Sequence, residues 1–189
     1  MTDVAGHARR GAAARAPAGI VLREEQPADA AGVRAAVQAA FGGSVEADLI
    51  EALRAEPGAM LAALVALHAD EVVGHVAFSR VALTDVSGAV LPAVALAPLA
   101  VAPSWQGRGI GTALARRGLA LCRRRGAVLA LVLGDPDWYG RLGFSAAAAR
   151  GITGVPWAGH PAFAARALRP RGAGAAGIAR YACAFDRFA

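Results

Sequence analysis

Apolar positions along the chain change their period several times, and each change marks an element. Ile20 to Arg23 reads as a short first strand, and Pro27-Ala28-Asp29 follows it with the proline and aspartate of a helix start. Val33, Val37 and Phe41 then recur at helical spacing up to the break at Gly42-Gly43-Ser44. A second apolar stripe, Val45, Leu49, Ile50 and Leu53, ends at Pro57-Gly58. Met60 to Leu67 is apolar, His68 to Glu71 is a polar tetrad, and Val72 to Leu83 is rich in valine, which together predict an antiparallel hairpin.

Beyond a looser segment with Asp85, Ser87 and Gly88, Ala93 to Ala102 is apolar on both faces, as a central buried strand is. Pro98 stands in its middle. Proline cannot donate to a sheet ladder, so the strand should bulge or splay there and leave room for a ligand. From Gly109 to Cys122, Ile110, Leu114, Gly118 and Leu121 share one helical face, with Arg116 and Arg123 off it. Gly126 ends that helix, Ala127 to Leu133 makes another buried strand, and Gly134-Asp135-Pro136 turns the chain into a short helix around Trp138 and Tyr139. Strand, glycine-rich turn, helix and strand in that order form a crossover unit. Ser145 to Gly177 is rich in Ala, Pro and Gly with little period, and Gly177 to Phe185 reads as a final strand.

With 189 residues, 56% of them hydrophobic, the chain can bury one sizeable core, expected over residues 19–189 behind a disordered tail at 1–18. The mean hydropathy of +0.42 raises the question of a membrane span. The longest apolar stretch, Ala89 to Pro103, carries Pro92, Pro98 and Pro103 and is shorter than the roughly 20 residues a spanning helix needs. No apolar block follows Met1 that would serve as a secretory signal, so the expectation is a cytoplasmic protein. Cys122 and Cys183 stand far apart without metal-ligand spacing and are expected as small buried hydrophobes. No metal is implied.

All 20 basic residues are arginine. The absence of lysine removes Schiff-base catalysis, pyridoxal phosphate anchoring and a P-loop lysine. A formal charge of +6 suits a polyanionic ligand, without deciding between a nucleotide-bearing cofactor and nucleic acid. Arg123-Arg124-Arg125 falls at a helix C-terminus, where the dipole alone favours cations by ~0.3–1 kcal/mol.

The densest chemistry lies in Gln106-Gly107-Arg108-Gly109-Ile110-Gly111. A helix N-terminus leaves backbone N–H groups unpaired and carries roughly +0.5 of an elementary charge, so a glycine turn leading into it can hold a phosphate. Gly107, Gly109 and Gly111 clear side chains from three alternating positions, with Gln106 and Arg108 at the rim. The dinucleotide spacing Gly-x-Gly-x-x-Gly is missing, because Thr112 stands where the third glycine would fall, and no acidic residue ends the next strand.

The longer string Leu99-Ala100-Val101-Ala102-Pro103-Ser104-Trp105-Gln106-Gly107-Arg108-Gly109-Ile110-Gly111 resembles motif A of the GNAT superfamily of N-acetyltransferases. Tyr139-Gly140-Arg141-Leu142-Gly143-Phe144 has the Tyr-x-x-x-Gly-Phe shape found beyond that superfamily's fifth strand. Leu133-Gly134-Asp135-Pro136-Asp137-Trp138-Tyr139 also looks like a branch of predicted bacterial N-acetyltransferases. The resemblance covers roughly Ile20 to Phe188 and leaves Met1 to Ala18 uncovered.

The resemblance implies an α/β (α+β) GNAT fold, a mixed central sheet of about seven strands flanked by about four helices and splayed at the fourth strand. It also implies acetyl-CoA as co-substrate and direct attack by a primary amine in a ternary complex. On that basis Leu99, Ala100 and Val101 would meet the pantetheine arm, and Gln106, Gly107, Arg108, Gly109, Ile110 and Gly111, with Thr112, would hold the pyrophosphate. Tyr139 would protonate the departing thiolate, as a phenol with pKa near ~10 can.

Neither motif contains a base. The central strand reads Val94-Ala95-Leu96-Ala97 where many relatives place a glutamate, and Glu46, Glu51, His75, Asp135 or water stay open. The acceptor, a small-molecule or peptide amine, is not legible, and a homodimer stays open. Without a visible base, a silent CoA-binding sensor or an arginine-rich nucleic-acid module is the alternative. The scattered arginines and the lack of a nucleic-acid motif argue against the second.

Overall fold

The computed structural model describes residues 17–187, so the tail expected over 1–18 lies, apart from its last two residues, outside the described residues. β1 (Val21–Glu24) leads through a short turn at Pro27–Asp29 into α1 (Ala30–Phe41) and α2 (Val45–Ala55). The strands β2 (Met60–His68), β3 (Glu71–Thr84) and β4 (Val90–Val101) follow, then α3 (Ile110–Arg124), β5 (Leu129–Leu133) and α4 (Pro136–Gly140). β6 (Ile152–Thr153), β7 (Phe163–Ala167) and β8 (Gly177–Arg180) complete a mixed eight-stranded sheet. Its main order is β1-β2-β3-β4-β5-β7, and β8 joins β6 to the far end of β3.

The start of α1 is fixed by Asp29, whose carboxylate accepts from the Gln26 N–H at 2.7 Å and from both Arg23 amino groups at 2.6 and 2.7 Å. Those arginine bonds hold the Asp29 carboxyl below its ordinary range. Val33 and Val37 are buried as the helical spacing predicts, and so are Leu49, Ile50 and Leu53. Phe41 and Val45 are exposed instead, because both flank the corner at Gly42 where the helix axis ends. The hairpin between β2 and β3 turns on Ala69 and Asp70, both at positive φ, which suits the right-handed twist of the flanking strands.

The expected central strand is β4, antiparallel to β3 and parallel to β5. One face of the sheet packs on α3, where Leu64, Val76, Phe78, Leu96, Ile110 and Leu114 meet. On the other face α1 lies over β3 and β4 with α2 beside it, and Val33, Val37 and Ile50 cluster with Val65, Leu67 and Ala100. Among the described residues no helix is long and apolar enough to cross a membrane.

The C-terminal third departs from the sequence reading. Phe163–Ala167 is a strand, held by five paired positions along β5 from Leu129↔Ala167 to Leu133↔Phe163. Its alanines carry no strand signal of their own, so pairing alone makes it one. The final strand stops at Arg180, and Cys183 to Arg187 forms a short helical turn whose first N–H groups, of Cys183 and Ala184, donate to the Glu56 carboxylate. Cys183 is therefore exposed, whereas Cys122 is buried as expected and its thiol is pushed up to about 12 by that burial.

Candidate active site

β4 and β5 pair only at Ala93↔Leu129, Val94↔Ala130 and Ala95↔Leu131. Beyond Ala95 the strands part, while β3 keeps its pairing with β4 after a register shift between Val76 and Phe78, opposite Ala97 and Pro98. The splay expected from Pro98 is thus present. Among the described residues it leaves one edge of β4 without a strand neighbour from Leu96 to Val101.

Antiparallel alternation decides which backbone groups face that edge. Ala102 N–H donates to Val73 O at 3.0 Å, so Ala102 and Ala100 turn their backbone groups toward β3. Leu99 and Val101 turn theirs to the open side. Gln106 Nε2 donates to Val101 O at 3.0 Å, which ties the glycine turn back to the strand.

A cavity of about 570 Å³ lies in front of this edge, lined by Leu99, Val101, Trp105, Gln106, Gly107, Gly109, Ile110, Gly111, Thr112, Asp135, Trp138 and Tyr139. Two of the residues expected there are not in its wall. The Ala100 side chain is buried with Val65 and Ile50 on the opposite face, and Arg108 turns outward to stack on Trp105 at 4.7 Å and donate to Ser104 O at 3.1 Å. Trp105, to which the sequence analysis assigns no role, contacts both Arg108 and His68, whose ring centroid is 4.4 Å from its own.

Gly107 and Gly109 have φ of 73° and 81°, a conformation that side chains with a Cβ rarely take. A Cβ at either would meet nothing within 4 Å among the described residues, so the turn presents bare backbone to open space at the start of α3. Gly111 lies deeper, where a Cβ would stand 3.5 Å from Val101 and 3.6 Å from Trp138. Unpaired N–H groups, a helix dipole and clear space in front of both form a cradle that fits a diphosphate.

The opposite wall comes from α4. The Asp135 carboxylate caps it, accepting from the Asp137 and Trp138 N–H groups at 2.9 and 3.3 Å. This fixes Trp138 and Tyr139 at the cavity. Gly134 leaves the space for the Tyr139 ring, since a Cβ there would lie 2.4 Å from Tyr139 Cε2. Gly143, at φ 83°, turns the chain so that Phe144 packs edge-on against the same ring at 5.7 Å. The Tyr-x-x-x-Gly-Phe spacing therefore clamps one phenol. Burial pushes that phenol up to about 12, so it stays protonated and presents a donor.

The four residues considered as bases separate. Glu46 is in the first turn of α2, Glu51 is paired with Arg34 at 2.6 Å, and Asp135 is engaged as the α4 cap. His75 is fully buried on β3 and makes a 2.8 Å hydrogen bond through Nε2 to Glu25, a residue the sequence did not single out.

Comparisons with known proteins agree with this geometry. A family model described as an acetyltransferase (GNAT) domain matches residues 22–147. The N-acetyltransferase YhbS of Escherichia coli K12 is 36% identical over 172 residues, 89% of this chain and 100% of that protein. The crystal structure of E. coli YhbS in complex with CoA superposes with a TM-score of 0.80 at 35% identity, covering 90% of this chain and 93% of that one. A GNAT family acetyltransferase from Brucella melitensis in complex with acetyl-CoA gives a TM-score of 0.73 at 35% identity, covering 88% and 98%.

Proposed function

Since the chain belongs to the GNAT acetyltransferase family and is an N-acetyltransferase, we propose that the cavity at the β4 splay binds acetyl-CoA and passes its acetyl group directly to a primary amine. The observation that carries this reading is the cradle at Gly107 and Gly109, bare backbone at a helix N-terminus beside an unpaired strand edge. The N–H groups at the start of α3 neutralise the pyrophosphate, with Thr112 beside them. Leu99 offers its backbone groups to the amides of the pantetheine arm, as a missing sheet neighbour would receive them. The thioester then lies near Ala97 and Tyr139.

Attack by the amine forms the new C–N bond, and collapse of the tetrahedral intermediate breaks C–S. Tyr139 gives its proton to the leaving thiolate and recovers one from the new amide nitrogen. A phenol held at about 12 by burial is protonated at every working pH, as this step requires. No protein cysteine is acylated in this reading: Cys122 is buried on α3, and neither it nor the exposed Cys183 lines the cavity. The acceptor is a small-molecule or peptide amine, and the enzyme works in the cytoplasm as one catalytic domain from residue 19 onward.

The test is an amine panel assayed by release of the CoA thiol, with acetyl-CoA affinity measured by calorimetry on the same sample. Tight acetyl-CoA binding with turnover of at least one primary amine supports the reading. Binding with no amine turned over removes transfer and leaves a cofactor-binding protein, and no binding removes the cavity assignment.

A further inference from the structure

Four buried side-chain atoms have no hydrogen-bond partner among the described residues, and three of them are His75 Nδ1 and Ser79 Oγ on β3 and Arg54 Nε on α2. His75 and Ser79 stand four positions apart on β3 and so share a face. On the neighbouring strand they are opposed by Ala100 and Ala95, whose small side chains keep that face shallow beside the splay. Buried polar atoms without protein partners are normally met by ordered water, which needs such polar anchors.

The ring of His75 is oriented. Glu25 accepts from it at 2.8 Å and also from Arg54. Burial would raise the Glu25 carboxyl, but His75 and Arg54 together outweigh that and hold it below its ordinary value, so it is an anion. A carboxylate only accepts, so Nε2 carries a proton toward Glu25 in either state of the ring, and Nδ1 holds a free lone pair when the ring is neutral. Glu25 also lines a second cavity, of about 520 Å³, at the outer edge of the sheet, together with Glu24, Gln26, Arg54 and Arg125. One end of this polar seam thus meets solvent. The other lies one strand in from the edge where the thioester would sit, on the face opposite α3.

We infer that His75, held by Glu25, takes the proton of the acceptor's ammonium group through a chain of waters anchored at His75 Nδ1 and Ser79 Oγ. The inference rests on the transfer reading above and names the base that reading lacks. The ammonium loses one proton to Nδ1, the neutral amine attacks, and the imidazolium is stabilised by the Glu25 carboxylate until its proton returns to solvent through the outer cavity. The net release is one proton per acetyl transferred, with Tyr139 ending as it began.

Among the described residues the charged groups facing this ring are few. Glu25 faces it from the end of β1, and Arg54 faces it from α2. The Arg34 of α1 turns away to Asp48 and Glu51, Asp29 is held by Arg23, and β4 carries no titratable side chain. His68 is the only titratable residue of β2 and lies at the hairpin end, stacked on Trp105.

A base matters only for an acceptor that arrives charged. The test therefore compares two acceptors in the thiol-release assay at pH 7: the alkylamine turned over fastest in the panel, which is an ammonium ion, and hydroxylamine, which is already neutral. His75→Gln should lower kcat/KM for the alkylamine about 100-fold and for hydroxylamine no more than about threefold, with calorimetric acetyl-CoA affinity retained. Equal losses with both acceptors, or none with either, overturn the inference.

If His75→Gln does not fold by circular dichroism, Glu25→Gln is measured the same way. Its alkylamine rate should fall about tenfold, and the acid limb of its pH–rate profile should move to lower pH as the stabilising anion is lost. An unmoved limb overturns the assignment. A wild type that binds acetyl-CoA but acetylates neither acceptor overturns the transfer reading and this inference with it.

Discussion

From Ala93 to Ala95, β4 is hydrogen-bonded on both sides, to β3 and to β5, whereas from Leu96 to Val101 its only strand partner among the described residues is β3. The first reads Ala-Val-Ala after Pro92 and the second Leu-Ala-Pro-Leu-Ala-Val, both apolar throughout, so hydropathy cannot tell them apart. In the first, side chains fill a core and both backbone edges are satisfied. In the second, Leu99 and Val101 hold a wall of the cavity and keep backbone groups facing it. An unpaired strand edge is ordinarily a liability that folds cover or blunt. Here the glycine turn and α4 enclose it, which makes it a place for an extended ligand with amide groups of its own.

The two halves should answer differently to mutation. Leu131, opposite Ala95, is fully buried, and Leu131→Ala should cost about 3 kcal/mol in urea unfolding. A loss below about 1 kcal/mol would mean that the paired half is not the rigid partner of the open one. On the open side, Gly109→Val should weaken acetyl-CoA binding at least 100-fold by calorimetry. A branched side chain is strained at φ 81° and would stand where the phosphate sits. Undiminished binding there would move the ligand out of the cradle.

Tyr139→Phe removes one hydroxyl from the far wall, and kcat should fall roughly 30- to 100-fold while acetyl-CoA affinity changes little. An unchanged rate would take away the acid role. Leu99→Ala, in the open half, should cost less than about 1 kcal/mol of stability and raise the acetyl-CoA KM a few-fold, because the side chain is only partly buried. A loss as large as that of Leu131→Ala would erase the contrast between the halves.

Alkaline pH gives the smallest effect. Burial raises both the Tyr139 phenol, to about 12, and the Tyr181 phenol, so the native state favours their protonated forms. Their contribution to stability is fully present below the unfolded value near ~10 and is lost as pH rises toward the folded value. Thermal melts should be level in this respect up to about pH 9.5 and decline above it. A decline that starts at neutral pH would have to come from other groups.

Much of the site was legible because it depends on local backbone chemistry. A glycine turn at a helix start and a proline inside an apolar strand each carry their meaning within a few residues, and the cavity formed where both pointed. Ala100 and Arg108 were named with their neighbours but fell outside the wall, because alternation along β4 and the stack on Trp105 turn them away. Trp105 lay inside a recognised string with no signal of its role. Glu25 was missed for a different reason. It meets His75 across β2, fifty positions later in the chain, and nothing in the spacing marks that pair.

The sequence by itself determined the order of elements through β5, the turn that faces the cavity and the tyrosine on its far wall, since each follows from periodicity or from glycine and proline at fixed points. Only the tertiary structure decided where β4 parts from β5, that an alanine-rich segment becomes β7, and which ionisable groups share the buried face of β3. Those outcomes depend on pairing and packing between distant segments, whose energies are set by the neighbour a residue meets and not by the residue alone.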